Sequence, residues 1–129
     1  MNKKYTILIV DDDKFLLDMY RKKFERDGAT VDVAVGSDEA LSKLRGGAKP
    51  EVLVLDVIMP GMDGMELLEV IRKEKLVPDA VVVMLTNESN RAKIEEAKTL
   101  GIRGYIVKAT SIPSEVVEKI KEMANIKNN

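Results

Sequence analysis

The chain has 129 residues, of which 45% are hydrophobic and 33% charged. This is the size and balance of one folded domain, and it excludes a disordered or collagen-like chain. Lysine and arginine total 21 against 22 acidic residues, and the net charge of −1 provides no bulk attraction to nucleic acid or anionic membranes. The absence of cysteine and histidine excludes disulfides, Cys/His zinc sites and histidine bases.

The chain shows no membrane or export signal. No apolar run approaches the roughly 20 residues of a membrane span, and the first residues lack a secretory apolar region. We therefore expect a cytoplasmic protein without direct membrane or nucleic-acid partners. A single domain is expected over residues 1–129, with an ordered core at about 4–125 and a frayed polar tail at 126–129.

Five short apolar runs, rich in valine and isoleucine, predict β-strands at residues 5–10, 30–35, 52–55, 80–85 and 104–107. Amphipathic patterns between and after them predict five helices, around residues 15–24, 40–44, 65–71, 94–100 and 116–124. The fourth helix has only a thin apolar stripe, formed by Ile94, Ala97 and Leu100. Alternating strands and helices predict an α/β fold, a parallel sheet with helices on both faces. The second strand alternates in polarity, which predicts an edge strand.

Polar side chains follow four of the predicted strands. Asp11, Asp12 and Asp13 follow the first strand, and Asp56, Thr86 and Lys108 follow the third, fourth and fifth. The carboxyl ends of parallel strands share one edge, where open α/β sheets bind ligands. Taken alone, Asp13 is best explained as a helix cap. Asp56 is less easily explained so, because Asp63 is better placed to cap the third helix.

A cluster of three carboxylates needs a cation. Two unit charges about 4 Å apart interact by roughly 4 kcal/mol at an effective dielectric near 20, so Asp11, Asp12 and Asp56 could not all ionise unaided. Oxygen ligands suit Mg²⁺, and the hydroxyl of Thr86 and the ammonium of Lys108 suit phosphoryl oxygens. These residues predict a phosphoryl-transfer centre in which the Asp56 carboxylate attacks phosphorus to form an acyl phosphate.

Four segments carry a family resemblance. They are residues 7–13, the Asp-x-x-Met-Pro-x-x-Asp-Gly stretch at 56–64, Thr86, and residues 105–108. Together they resemble the receiver domain of two-component response regulators, the CheY-like, flavodoxin-like fold, over essentially the whole chain. The resemblance implies one doubly wound five-stranded parallel sheet in the order 2-1-3-4-5, with five helices on its two faces.

The resemblance also implies roles for Asp11, Asp12 and Asp56. Asp56 would accept a phosphoryl group from a phosphohistidine on a partner histidine kinase or histidine phosphotransfer protein. Asp12, Asp56 and the backbone carbonyl of Ile58 would bind Mg²⁺ directly, and Asp11 would bind it through water. Such a receiver is a signalling switch rather than an enzyme, since it catalyses only its own phosphorylation and dephosphorylation.

The output of the switch is implied by the same resemblance. Thr86 and Lys108 would bind the phosphoryl group, and Thr86 and Tyr105 would then move inward and remodel the surface of the fourth helix, fifth strand and fifth helix. For Tyr105, an ordinary half-buried strand position is an equal alternative. A receiver nearly fills the chain, so we expect the signal to pass to a downstream protein, with phosphorylation-dependent homodimerisation as an alternative.

Two positions, Ala109 and Asn87, depart from the family pattern. Ala109 stands where proline is usual, and since a non-proline cis bond costs roughly 2.5 to 4 kcal/mol we predict a trans bond and a potential displacement of Lys108. Asn87 replaces a small residue and would narrow phosphoryl access or add a hydrogen bond. Ile58 and Glu88 border the path of hydrolytic water, and the apolar Ile58 predicts a long-lived phosphoryl group.

Two other functions fit parts of the sequence. Residues 11–13 resemble the Asp-x-Asp opening of haloacid-dehalogenase-type phosphatases, but Lys14 and Phe15 replace the expected Gly-Thr and no acidic pair follows Lys108. Phosphatase turnover that requires Asp11 and not Asp56 would support that reading. A receiver-like binding module that no longer uses phosphate is favoured by Ala109 and Asn87.

Overall fold

The computed structural model describes residues 4–127. Its β-strands are β1 (Thr6–Asp11), β2 (Thr30–Val35), β3 (Val52–Leu55), β4 (Val81–Thr86) and β5 (Gly104–Val107). Its α-helices are α1 (Lys14–Arg26), α2 (Ser37–Arg45), α3 (Gly64–Lys73), α4 (Arg91–Thr99) and α5 (Pro113–Met123). Each predicted strand and helix is present, with ends that differ by a few residues from the pattern.

The five strands form one parallel sheet in the order β2-β1-β3-β4-β5, as predicted. One apolar cluster joins one face of the sheet to α2, α3 and α4, and a second joins the other face to α1 and α5. All four residues of β3 are buried, whereas β2 alternates between exposed and covered positions. A central strand covered on both faces must be apolar throughout, which explains the difference.

Two helices begin at the side-chain caps that the sequence indicated. The Asp13 carboxylate accepts from the N–H groups of Phe15 and Leu16 at the start of α1. Asp63 forms a capping box with Glu66 at the start of α3. At α2 no side chain caps the start of the helix: Gly36 precedes it with φ 87°, and the Ser37 hydroxyl donates to the Met62 carbonyl at 2.8 Å.

The helices are attached to the sheet to different degrees. In α5 the buried residues are Val116, Val117, Ile120 and Lys121, whereas in α4 Ala97 is the buried residue. The Lys121 ammonium lies 3.0 Å from an Asp27 carboxylate oxygen at the end of α1, and the Tyr5 hydroxyl donates to the other oxygen at 2.9 Å. Burial, followed by the bond to Asp27, raises the pKa of Tyr5, so this hydroxyl stays a donor at neutral pH. Helix α5 is therefore anchored to α1, and α4 is held weakly.

The chain continues to contact the core after the end of α5. The Ile126 N–H donates to the Lys121 carbonyl at 2.8 Å, and the Ile126 side chain packs against the α1/α5 cluster. The apolar side chain of Ile126 thus covers the end of the core, and the frayed tail expected at 126–129 stays a prediction. Residues 128 and 129 lie outside the described part. Among residues 4–127, no helix has both the length and the apolar character needed to cross a bilayer.

Candidate functional site

The residues singled out in the sequence lie at the carboxyl edge of the sheet. Asp11 is the last residue of β1 and Thr86 the last of β4, while Asp56 and Lys108 directly follow β3 and β5. The register aligns Val10 with Leu55 and Leu55 with Met84, so the neighbouring strands end together. Carboxylate oxygens of Asp11, Asp12 and Asp56 all lie within 4.8 Å of one another.

Lys108 connects two of these carboxylates. Its Nζ lies 2.5 Å from Asp11 Oδ2 and 3.0 Å from Asp56 Oδ2, and the side chains of all three residues are at most 9% exposed. Asp56 Oδ1 accepts from the Ile58 N–H at 3.1 Å, and Asp11 Oδ1 accepts from the Asp13 N–H at 3.0 Å. Both buried carboxylates are therefore held by a backbone N–H on one oxygen and by the ammonium on the other.

The site carries an excess of negative charge. Burial raises the pKa of Asp11 above its ordinary value, although the bonds from Lys108 and the Asp13 N–H act in the opposite direction. Burial alone would lower the pKa of Lys108, but hydrogen bonds and attraction from Asp11 and Asp56 outweigh it and raise that pKa. The two shifts have different main causes: burial disfavours the charged form of Asp11, and the neighbouring carboxylates favour the charged form of Lys108.

The donor set fits a hard divalent cation. Asp11, Asp12 and Asp56 offer carboxylate oxygens, and Asp12 is exposed where Asp11 and Asp56 are buried. A dication would balance the excess charge, and Mg²⁺ typically uses one or two protein carboxylates together with water and phosphate oxygens. The cluster of acidic residues is thus the kind of site that receiver domains use for Mg²⁺.

Thr86 and Tyr105 meet at the loop between β4 and α4. Thr86 is fully buried, and its hydroxyl oxygen accepts from the Glu88 N–H at 3.2 Å. The Tyr105 hydroxyl donates to the Glu88 carbonyl at 2.6 Å. Burial, with the nearby charges of Glu88 and Asp56, raises the pKa of Tyr105 to about 12, so its hydroxyl remains a donor at neutral pH. Both side chains thus hold the backbone of Glu88 in this loop.

The loop after Lys108 settles one question left by the sequence. The Lys108–Ala109 peptide bond is trans, as predicted, since the described residues contain no cis bond. Lys108 is not displaced from the carboxylates. The side-chain oxygen of Asn87 accepts from the Ala109 N–H at 2.8 Å, which is the added hydrogen bond that the sequence left as one of two alternatives for Asn87.

Among the described residues, three large apolar side chains are exposed, which the sequence did not indicate. Phe15 in the first turn of α1, Ile58 after β3 and Ile112 before α5 are 79%, 52% and 59% exposed. Phe15 lies outside the buried stripe of α1, which is formed by Leu17, Tyr20 and Phe24. A register of i, i+3 and i+7 would have identified that stripe and left Phe15 outside it.

Comparisons with known proteins agree with this site. The response regulator receiver domain family matches residues 7–121. The chain is 37% identical over 123 residues to the chemotaxis protein CheY of Pseudomonas aeruginosa, covering 92% of this chain and 98% of that protein. It is 36% identical to the transcriptional regulatory protein ResD of Bacillus subtilis, covering 91% of this chain and 47% of ResD. The chain thus spans about half the length of that relative.

A solved structure is similar in both fold and sequence. The response regulator TrrA of Thermotoga maritima, solved in complex with Mg²⁺-BeF, superimposes with a TM-score of 0.77 at 30% identity, covering 92% of this chain and 98% of that one. The acidic cluster, the strand order and the match over residues 7–121 lead to one conclusion. The chain belongs to the response regulator receiver domains of two-component systems.

Proposed function

We propose that this chain is a phosphoacceptor switch that receives a phosphoryl group on Asp56 from a histidine kinase or histidine phosphotransfer protein. Receiver domains of response regulators are phosphoacceptor modules that interact with kinases and effectors. The observation that carries the proposal for this chain is the buried Asp56 carboxylate, which lies 3.0 Å from the Lys108 ammonium and within 4.8 Å of the acidic pair.

The proposed step is a displacement at phosphorus. A carboxylate oxygen of Asp56 attacks the phosphorus of a phosphohistidine, the P–N bond breaks, and its electron pair returns to the imidazole nitrogen of the donor. The product is an acyl phosphate on Asp56. Lys108 already contacts Asp56 Oδ2, so its ammonium is placed to follow the new phosphoryl oxygens and neutralise their charge.

The resemblance to receiver domains assigns the metal ligands to the same part of the site. Asp12, Asp56 and the backbone carbonyl of Ile58 would hold Mg²⁺ directly, with Asp11 acting through water. When bound, Mg²⁺ would supply positive charge to the carboxylates and to the transferring phosphoryl oxygens. The match to TrrA, which was solved with Mg²⁺-BeF, supports this assignment. The protein's own part is to fix these oxygens beside the acceptor.

We further infer that the switch acts through α4, β5 and α5. The Thr86 hydroxyl would leave the Glu88 N–H for a phosphoryl oxygen, and the Tyr105 side chain would follow into the space beside it. The attachment of the helices supports this movement, because α4 buries only Ala97 while α5 is anchored through Lys121 and Asp27. A weakly held helix is the element that shifts most easily.

The surface around the site supports a protein partner. Phe15, Ile58 and Ile112 expose apolar side chains at the start of α1, after β3 and before α5. An exposed apolar side chain beside a reactive residue, such as Ile58 two residues after Asp56, suits a surface that another protein covers. A kinase or phosphotransfer domain that brings its histidine to Asp56 would bury this side chain. The downstream partner, or a second copy of the chain, would bind the α4/β5/α5 surface.

Beryllofluoride, a mimic of the phosphoryl group, tests the switch directly. We expect Mg²⁺ with beryllofluoride to change the NMR amide signals of Asp56, Thr86 and Lys108, and then those of α4, β5 and Tyr105. The α1 amides near Asp27 should change least, because the buried pair with Lys121 fixes that end.

Asp56→Asn is the control for this experiment, since it removes the anionic acceptor and should abolish the response. A native protein that shows no change with Mg²⁺ and beryllofluoride would favour the alternative of a receiver-like binding module that does not use phosphate. Changes confined to the site, without α4 or Tyr105, would contradict the proposed output surface.

Ile58 predicts a slow loss of the phosphoryl group. Its side chain is apolar and 52% exposed beside the acceptor, and the Glu88 carboxylate accepts from the Asn90 N–H at 3.1 Å. Neither group is set to orient water for attack on phosphorus. We expect Ile58→Asn to speed dephosphorylation about tenfold, by supplying polar atoms that position water. The decay of the phosphorylated mass with time measures this, and an equal or slower decay in the variant would refute it.

A further inference from the structure

Asn87 and Ala109 join the two loops that carry Thr86 and Lys108. Thr86 pairs with Val107 at the last position of the β4–β5 register. One residue after Thr86 and two residues after Val107, the Ala109 N–H donates to the side-chain oxygen of Asn87 at 2.8 Å. The hydrogen bond therefore continues the connection between the two strands for one step beyond their end.

The backbone of Lys108 has little other long-range support. β5 has four residues and lies at the edge of the sheet, paired with β4 alone. Residues Lys108–Thr110 form a single 3₁₀ turn, closed by a bond from the Ser111 N–H to the Lys108 carbonyl at 3.2 Å. These bonds are local, so the Asn87–Ala109 bond fixes the turn to the neighbouring loop.

The position of the Lys108–Thr110 turn determines which atoms the Lys108 ammonium can contact. Lys108 has a long flexible side chain, and its Nζ must lie near Asp11 and Asp56 at once. A shift of the turn away from β4 would lengthen one of these contacts. Holding a flexible group in its reacting position lowers the barrier to reaction even when the holding residue does not touch the substrate.

We propose that Asn87 is a positioning residue for Lys108, acting through the Ala109 N–H. The proposal rests on the proposed function where it concerns the rate of phosphoryl transfer. It also accounts for both departures from the family pattern, Asn87 and Ala109, by one hydrogen bond. A proline at position 109 would have no N–H to donate, so the bond to Asn87 exists only because residue 109 is not proline.

A purely steric role for Asn87 predicts the opposite change in the phosphorylation rate when its side chain is removed. If the exposed Asn87 side chain only narrowed the access of phosphodonors, its removal would raise the rate of phosphorylation. If Asn87 positions Lys108, its removal lowers the rate. The bond joins two exposed residues, and its net strength is modest, so we expect a change of about threefold to tenfold.

The first experiment measures adduct formation on Asp56 with acetyl phosphate and Mg²⁺. Asn87→Ala and Ala109→Pro should each lower the maximal rate about threefold to tenfold, and the double variant should be no slower than the slower single one, since both changes remove one bond. In a Lys108→Met background, Asn87→Ala should have no further effect. A faster rate in Asn87→Ala, additive losses, or a loss that persists without Lys108 would overturn the proposal.

Asn90→Ala is the matched control. Asn90 is an exposed asparagine in the same loop, and its side chain accepts from the Lys93 N–H at 3.2 Å at the start of α4. Its removal weakens the loop without touching Ala109, so the phosphorylation rate should stay near the native value. A loss equal to that of Asn87→Ala would show a general loop effect and overturn the assignment.

The second experiment needs no phosphorylation. NMR measures how fast the Lys108 ammonium protons exchange with water in metal-free protein. The buried contacts with Asp11 and Asp56 should slow this exchange in the native chain, and Asn87→Ala should speed it severalfold while Asn90→Ala does not. Unchanged exchange in Asn87→Ala would overturn the proposal. If the native chain accepts no phosphoryl group, the proposed function fails, and this measurement still decides the role of Asn87.

Discussion

Replacing Lys108 with methionine should lower the phosphorylation rate of Asp56 about hundredfold, the usual cost of removing one charge-stabilising group from a reacting centre. The same change should destabilise the metal-free protein by about 3 kcal/mol, because Asp11 and Asp56 lose the ammonium that compensates their buried charge. Denaturant unfolding and the rate of adduct formation with acetyl phosphate measure the two effects. Added Mg²⁺ should stabilise the variant more than the native chain, since the excess negative charge is larger.

Lys119→Met is the matched control for this prediction. Lys119 is an exposed residue of α5, so its loss should change the free energy of unfolding by less than about 0.5 kcal/mol and leave the rate unchanged. Equal stabilities of Lys108→Met and the native protein without Mg²⁺ would show that Lys108 does not compensate the buried carboxylates.

Among substitutions that add one methyl group near the site, Gly64→Ala should destabilise the protein most. A Cβ at Gly64 would lie 2.0 Å from the Asp56 carbonyl oxygen and 2.8 Å from the Val57 Cα. Alanine usually favours a helix over glycine by roughly 1 kcal/mol, but here the backbone of Asp56 would have to move. We expect a net loss of about 3 kcal/mol in the free energy of unfolding and slower phosphorylation of the folded protein. Denaturant unfolding measures the loss of free energy, and the rate of adduct formation with acetyl phosphate measures the phosphorylation.

Gly46→Ala separates this clash from a general glycine effect. Gly46 has φ −78°, an ordinary value for alanine, and its nearest contact for a Cβ is the Ser42 carbonyl oxygen at 3.1 Å. We expect a change smaller than about 1 kcal/mol there. If both alanine variants were equally stable and equally active, the close approach of α3 to the Asp56 backbone would have no energetic consequence.

The sequence predicted the sheet and the place of the site well, for physical reasons. A buried parallel strand must be apolar along its whole length, so β3 was visible as a continuous run. Because strands and helices alternate along the chain, the sequence predicted a parallel sheet. The polar residues Asp56 and Lys108 follow strands that end at the same edge of that sheet. The caps at Asp13 and Asp63 were visible because capping is local in sequence.

Features that depend on contacts between distant residues were not predictable in the same way. The buried pair of Lys121 and Asp27 joins α5 to the end of α1, and each residue alone resembles a surface charge. The exposure of Phe15 is a different case, because the i, i+3 and i+7 spacing of Leu17, Tyr20 and Phe24 already leaves it outside the buried stripe of α1. The bond between Asn87 and Ala109 joins two loops, and the sequence could give Asn87 only as a choice between steric narrowing and a hydrogen bond.

Intact-mass measurement after treatment with Mg²⁺ and acetyl phosphate tests the central claim most directly. The native chain should gain the mass of one phosphoryl group, the gain should require Mg²⁺, and Asp56→Asn should show none under the same conditions. Asp11→Asn should slow the gain without abolishing it, because the proposal gives Asp11 a supporting role and places the phosphoryl group on Asp56. A native chain without an adduct, or an adduct that persists in Asp56→Asn, would contradict the assignment of Asp56 as the phosphoacceptor.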